Sequence, residues 1–400
     1  MQVRVVEVTH PLLQVGEVGR GAGPSYDGPH GGPAVDERRA DPGTHEPVGP
    51  RDHDDGLDGE IGGSIGRGHG STLARAWWDD RGDASVLPGT TPRAVKLPDG
   101  VLGMTRRGPS WAAWVDGLPG TVERLLGEWQ LRPDGLMMHG FVALVVPVRT
   151  TGGRPAVLKV SFPDDESEHE HLALQRWGGH GAVALLRADP HRRALLLERL
   201  HPERLDDMWD VEACEVVAGL YGRLHVPALP QLRLLTTYVE RWADQLAGLP
   251  RNAPLPRRLV EQAVSLSRDF VADPASTGTL VHGDLHYENV MAADREPWVA
   301  IDPKPVNGDP HYELAPMLWN RFEELTGPGA ALSLRDGIRQ RFHTLVDRAG
   351  LDEHRARDWV VVRMLDNACW RLLDPPDVTR RTPDAQQLTM CITVAKAVQD

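Results

Sequence analysis

Apolar positions fall into short continuous runs in the middle of the chain and into helical spacing further on. Residues 140–148 (GFVALVVPV) and 156–162 (AVLKVSF) flank a Thr151-Gly-Gly-Arg-Pro155 turn, which predicts two buried strands. Residues 182–186 and 194–198 lie either side of Asp189-Pro-His and predict a hairpin. Residues 122–129 and 168–177 read as short amphipathic helices. After Pro202 the period changes. Segments 211–224, 234–246, 257–271, 330–349 and 353–373 carry apolar residues at i, i+3, i+4 and predict helices. Residues 279–302 form a β island among them. The pattern is that of an α+β chain, with a small β-rich lobe joined near residues 197–202 to a larger helical lobe.

The first 103 residues do not share this patterning. Thirty of them are Gly or Pro, against 44 of the remaining 297. That composition buries too little apolar surface to offset ordering entropy. The expectation is a low-complexity extension at 1–103, either disordered or translated from a mis-assigned start with Met104 as the true first residue. Two globular parts follow, at 104–200 and 201–400. Gly19–Gly23 and Gly66–Gly70 imitate phosphate loops, but neither completes GxGxxG between a strand and a helix.

Formal net charge is −13 over 400 residues. This argues against a nucleic-acid or anionic-membrane partner and suits a cationic small molecule. No apolar run is long enough for a membrane helix, and the N-terminus lacks a signal-peptide core. Cys214, Cys369 and Cys391 share no CxxC spacing, so a cytoplasmic protein without a disulfide scaffold is expected. A monomer is the default.

The chemistry concentrates in Val281-His-Gly-Asp-Leu-His-Tyr-Glu-Asn-Val290. Asp284 precedes Asn289 by five residues, the aspartate-to-asparagine spacing of the kinase catalytic loop, with Gly283 in place of arginine. A hairpin then leads to Asp302, where a kinase places its main Mg²⁺ ligand. Asn289 and Asp302 together offer the hard oxygens that magnesium prefers. Upstream, Ala156-Val-Leu-Lys159 resembles the strand whose lysine reaches the ATP phosphates. Lys159 is one of only three lysines after residue 103, and a lone ammonium in an apolar strand needs a partner. Glu170 is preferred over Glu166 and Glu168, because Ala173, Leu174 and Trp177 then share its helix face.

The segment from about residue 122 onward resembles the aminoglycoside phosphotransferases, and more narrowly their streptomycin 6-kinase and hydroxyurea kinase branch. The resemblance rests on His282-Gly-Asp-Leu-His286, Glu288-Asn-Val290, and Glu296-Pro-Trp-Val-Ala-Ile-Asp-Pro-Lys-Pro305. Gly308-Asp-Pro310, Tyr312-Glu-Leu-Ala-Pro316 and Leu318-Trp-Asn-Arg321 extend it. It implies a protein-kinase-like bilobal fold and ATP- and Mg²⁺-dependent phosphoryl transfer to an alcohol. Asp284 would be the base, Asn289 and Asp302 the metal ligands, and Lys159 with Glu170 the phosphate-positioning pair. Backbone groups of the hinge at Glu198-Arg-Leu200 would meet adenine. The nucleotide loop would lie near residues 139–143, although Gly140 is its one glycine.

For the acceptor, an acidic cleft suits a guanidinium- or amine-bearing aminocyclitol, with streptomycin foremost and hydroxyurea or another small alcohol as the alternative. Asp309, Glu313 and Asp366 are the candidate substrate acids; Asp206, Asp207, Asp210, Glu323 and Glu324 are further acids near the expected cleft. Lys304 fits loop anchoring and substrate contact equally. Asn320 and Arg321 are expected to organise the loop, and His286 to lie near the phosphates. His282 and His286 form HxxxH, yet Gly283 and Asp284 disfavour the helix a zinc pair needs, so a backbone-bonded His282 is expected. A nucleotide-binding pseudokinase is the reading from a different class.

Overall fold

In the computed structural model, which describes residues 96–327, 329–373 and 384–399, the chain opens with α1 (Asp99–Gly103) and α2 (Pro109–Glu128). Strands β1 (Arg132–Pro133), β2 (Met138–His139), β3 (Ala143–Arg149) and β4 (Pro155–Ser161) follow, then α3 (Glu170–Trp177), β5 (Leu185–Asp189) and β6 (Ala194–Glu198). The strands form one antiparallel sheet in the order β1-β3-β4-β6-β5, with β2 pairing β3. Both faces of this sheet are covered, which is why its central strands read as continuous apolar runs. Leu144, Val146, Val148, Leu158 and Val160 point to one core with Val115, Leu118, Val122 and Leu125 of α2. Val145, Val157, Leu195 and Leu197 point to the other, with Ala173, Leu174 and Trp177 of α3.

The second part is helical. It holds α4 (Asp210–Leu224), β7 (Val226–Pro227), α5 (Leu235–Ala247) and α6 (Arg257–Ala272). Then come β8 (Thr279–Val281), β9 (Val290–Ala292), β10 (Trp298–Ala300) and β11 (Val306–Gly308), followed by α7 (Ala315–Trp319) and α8 (Phe322–Thr326). Three long helices close it: α9 (Leu334–Ala349), α10 (Glu353–Leu373) and α11 (Asp384–Ala397). β9 and β10 pair as the hairpin expected after residue 290, while β8 sits between β7 and β11. The lobes are stitched together where the Val183 amide donates to the Ala300 carbonyl at 2.8 Å and the Ala300 amide to that of Gly181, also at 2.8 Å.

Three differences from the sequence expectation have plain causes. The helix expected at 122–129 runs for 20 residues from Pro109. Gly117, Pro119 and Gly120 weaken its propensity, but the buried Val115, Leu118, Val122 and Leu125 keep a helical period against the sheet. α11 was not expected, because its apolar residues lie on several faces and give little periodicity; Cys391, Val394 and Ala395 are all fully buried. The third is the start of the folded region. Leu97 and Val101 precede the compositional break at Met104, yet both are buried with Met104 in the core under α2. Two apolar residues among Gly, Pro and Asp are too few for composition to register. The remainder of the Gly- and Pro-rich segment, with its expected disorder, lies outside the described residues.

Val101 is fully buried, so Val101→Ala should lower stability by about 1–3 kcal/mol through lost burial and a small cavity. Thermal unfolding of the full chain checks this. An unchanged midpoint would remove residues 97–104 from the cooperative unit.

Candidate active site

β4 points Lys159 to the face opposite α2, under α3. There its Nζ donates to Glu170 Oε1 at 2.7 Å and Oε2 at 2.8 Å, and to Asp302 Oδ1 at 2.5 Å. Glu170, not Glu166 or Glu168, is therefore the helix partner. Lys159 and Glu170 are buried. Burial by itself would lower the Lys159 pKa, but the charges of Asp302 and Glu170 outweigh it and raise the value. Two carboxylates share this one ammonium. Burial, with the neighbouring Asp302 charge, pushes Glu170 up to about 7 against the pull of Lys159. Asp302 resists its own burial because Lys159 holds it ionised and below the usual range. The Asp302 backbone is left-handed, with φ +56°, a conformation sparsely populated by residues other than glycine and concentrated at functional turns.

The loop after β8 carries Asp284 and Asn289. Gly283 occupies φ +84°, and a Cβ there would run into the carbonyl oxygen of Lys304. Only glycine satisfies both conditions, which explains the departure from the arginine of protein kinases. Glu313, fully buried, accepts the His282 amide at 3.0 Å and the Gly283 amide at 2.7 Å. Arg363 on α10 donates to the Gly283 carbonyl at 2.5 Å and to that of Tyr312 at 3.1 Å. His282 bonds the Ile301 carbonyl through Nε2 at 2.9 Å. Asn289 Nδ2 donates to the Asp284 carbonyl at 2.8 Å and meets His286 Nε2 at 3.2 Å, which fixes the orientation of its amide. His286 thus supports the Asn289 turn. Burial lowers the pKa of both loop histidines.

Asp284 faces Lys304, whose Nζ lies 2.9 Å from Oδ2. Burial would raise the Asp284 pKa, but Lys304 and then His286 bring it down to about 2. The carboxylate is ionised at any working pH. Glu166 is a second carboxylate near Lys304, at 3.4 Å.

Several expected residues have other work. Both oxygens of buried Asp309 are used within the fold: Oδ1 by the His311 amide at 3.0 Å, and Oδ2 by Arg355 at 2.5 Å and Trp359 Nε1 at 2.7 Å. Asp309 and Glu313 are thus structural anchors, not substrate acids. Asp210 joins them, accepting Arg341 Nε at 2.7 Å and the Tyr287 hydroxyl at 2.5 Å beneath the loop after β8. Asp366 differs. It is half-buried one turn beyond Arg363, and burial, only partly offset by Arg363 and Arg241, raises its pKa to about 7. At the hinge, the Glu198 amide donates to the Ala184 carbonyl at 3.0 Å, and its carboxylate pairs with Arg295 at 2.7 Å. That amide is not open to a purine. Leu200 is buried.

Sequence reasoning missed Arg341 and Arg363. Each interrupts the apolar stripe of a long helix and is buried. A charged residue at a core position is the signal that could have found them, since a buried guanidinium requires partners.

Residues 128–374 match the family model described as aminoglycoside/hydroxyurea antibiotic resistance kinase. A streptomycin 6-kinase from Streptomyces glaucescens is 38% identical over 308 residues, covering 72% of this chain and 97% of the relative. A hydroxyurea phosphotransferase from Kitasatospora aureofaciens is 41% identical over 293 residues, covering 70% and 81%. Among solved structures, an aminoglycoside phosphotransferase in ternary complex with ADP and hygromycin B aligns at 17% identity. It covers 70% of this chain and 98% of that one, with a TM-score of 0.46.

Proposed function

We propose that this chain, which belongs to the aminoglycoside/hydroxyurea antibiotic resistance kinase family, transfers the γ-phosphoryl group of Mg·ATP to a hydroxyl of a cationic aminocyclitol antibiotic, with streptomycin the leading acceptor. The observation that carries the acceptor is the match spanning 97% of a streptomycin 6-kinase. The geometry supports the reaction class. Asp284, Asn289, Asp302 and the Lys159–Glu170 pair meet where the two lobes join, brought there by the loop after β8, the end of the β9–β10 hairpin, strand β4 and helix α3.

Phosphoryl transfer has a loose transition state, so catalysis is mostly positioning and charge neutralisation. Lys159, held in place by Glu170, presents its ammonium to the triphosphate. Asn289 and Asp302 are hard-oxygen donors of the kind Mg²⁺ takes alongside phosphate, and they fit the ion. When bound, the ion offsets the charge of the phosphates. Asp284 accepts a hydrogen bond from the acceptor hydroxyl. With a pKa near 2 it is a weak base, so it orients the hydroxyl first and takes the proton only late, as the new P–O bond makes that oxygen acidic. Asp366, half-buried and raised to about 7, is the remaining acid of the three expected to meet a cationic acceptor.

The test is incubation of the full chain with ATP, with and without Mg²⁺, and streptomycin, read by mass spectrometry. The expected product carries one added phosphoryl group and needs the metal. The hydroxyurea phosphotransferase, 41% identical, favours hydroxyurea as the second acceptor. A product with hydroxyurea and none with streptomycin would move the assignment to it. Nucleotide binding with no transfer to any small alcohol would leave a pseudokinase.

A further inference from the structure

We propose that Lys304 is a catalytic residue: it pairs with Asp284 in the resting enzyme and turns its ammonium onto the transferring phosphoryl group during the reaction. The inference rests on the kinase reading of Asp284 given above.

The backbone of Lys304 is held against the catalytic loop. Its amide donates to the His282 carbonyl at 2.8 Å, and its carbonyl occupies the space left by the missing side chain of Gly283. The Cα is therefore fixed, while the side chain remains 38% exposed and can swing. Nζ lies 2.9 Å from Asp284 Oδ2 and 3.4 Å from Glu166 Oε2.

The other charged groups close to the loop are committed elsewhere. Lys159 is shared by Glu170 and Asp302. Arg363 is bonded to the carbonyls of Gly283 and Tyr312. His286 is buried, and its ring meets Asn289. Among these described residues, Lys304 is the cation on the Asp284 side of the loop that can move.

In the reaction, the acceptor oxygen forms a bond to the γ-phosphorus and the bond from that phosphorus to the β–γ bridging oxygen breaks. ADP leaves with the electron pair, and the hydroxyl proton passes to Asp284. The hydroxyl must sit within hydrogen-bond reach of Asp284, about 2.6–3.2 Å. An ammonium already bonded to Asp284 is then one rotamer change from the peripheral oxygens of the phosphoryl group, where charge accumulates. Lysine suits this as a mobile point charge on a flexible stem. A simple anchor would show a different behaviour, because a partly exposed ion pair contributes little by itself.

The experiment compares Lys304→Met and Lys304→Arg with wild type in the full chain. Dissociation constants for ADP and for AMP-PNP are measured with Mg²⁺, together with kcat, KM and the unfolding midpoint. Lys304→Met should lower kcat by roughly 10²–10³ and weaken AMP-PNP by about tenfold. ADP affinity and the midpoint should stay at wild type, and Lys304→Arg should recover part of both losses. A kcat within about threefold of wild type, or equal weakening of ADP and AMP-PNP, would overturn the role and leave Lys304 as a loop anchor. Wild-type protein that binds neither nucleotide would overturn the kinase reading of the site, and the Lys304 role with it.

Discussion

Asp284→Ala is expected to lower kcat by about 10²–10⁴ while the unfolding midpoint stays close to wild type. The carboxylate makes its closest contact with Lys304, at 2.9 Å, and its side chain retains 20% exposure. Removing it does not strand the lysine, because Glu166 also lies near it, 3.4 Å away. The loss should therefore appear in turnover and not in folding. Steady-state kinetics with a coupled ADP assay, alongside thermal unfolding, separates the two. Wild-type turnover in the variant would remove Asp284 from the mechanism. A large drop in the midpoint would reassign it to structure. Asp284→Asn should fall between the two, since an amide can orient the hydroxyl but cannot accept its proton.

Gly283→Ala should be strongly damaging although it removes no catalytic group. Two penalties coincide. The φ of +84° costs a residue with a Cβ about 1–3 kcal/mol. The new methyl would also collide with the Lys304 carbonyl, which is backbone and cannot rotate away. Relief requires the loop and the segment after Asp302 to separate. That would break the bond from the Lys304 amide to His282 and pull Lys304 from Asp284. A misplacement of about 1 Å can cost roughly 10²-fold in rate, so activity should fall by at least that much, with a lower midpoint. Retention of both activity and midpoint would show that the loop is free to adjust.

The two outcomes bear on how the site was legible. The Asp284-to-Asn289 spacing and the terminal aspartate of the β9–β10 hairpin were visible in the sequence, because they are local: one loop and one hairpin place them. Lys159 could be singled out because a lone lysine in an apolar strand is costly without a partner. The choice of Glu170 followed from helix periodicity, which put it on the buried face with Ala173, Leu174 and Trp177. Asp309 and Glu313 misled for the opposite reason. Acidity near a catalytic motif reads as a cationic subsite, whereas their partners, Arg355 and the loop amides, come from residues 30 or more positions away. No spacing rule reports contacts of that kind.

The sequence by itself determined the α+β order, the two-lobed division, the family and the spacing of Asp284, Asn289 and Asp302. Each of these depends on periodicity or on short fixed spacings that survive without knowledge of the fold. Tertiary structure alone decided which acids are structural and why Gly283 stands in the loop. It also revealed the buried arginines that hold the site from below, the place of Leu97 and Val101 in the core, and the meeting of Lys304 with Asp284. The physical reason is common to all of them. A side chain's charge and hydrogen bonds are spent on whatever lies within about 3 Å, and in this fold the deciding neighbours are brought together by packing across tens of residues.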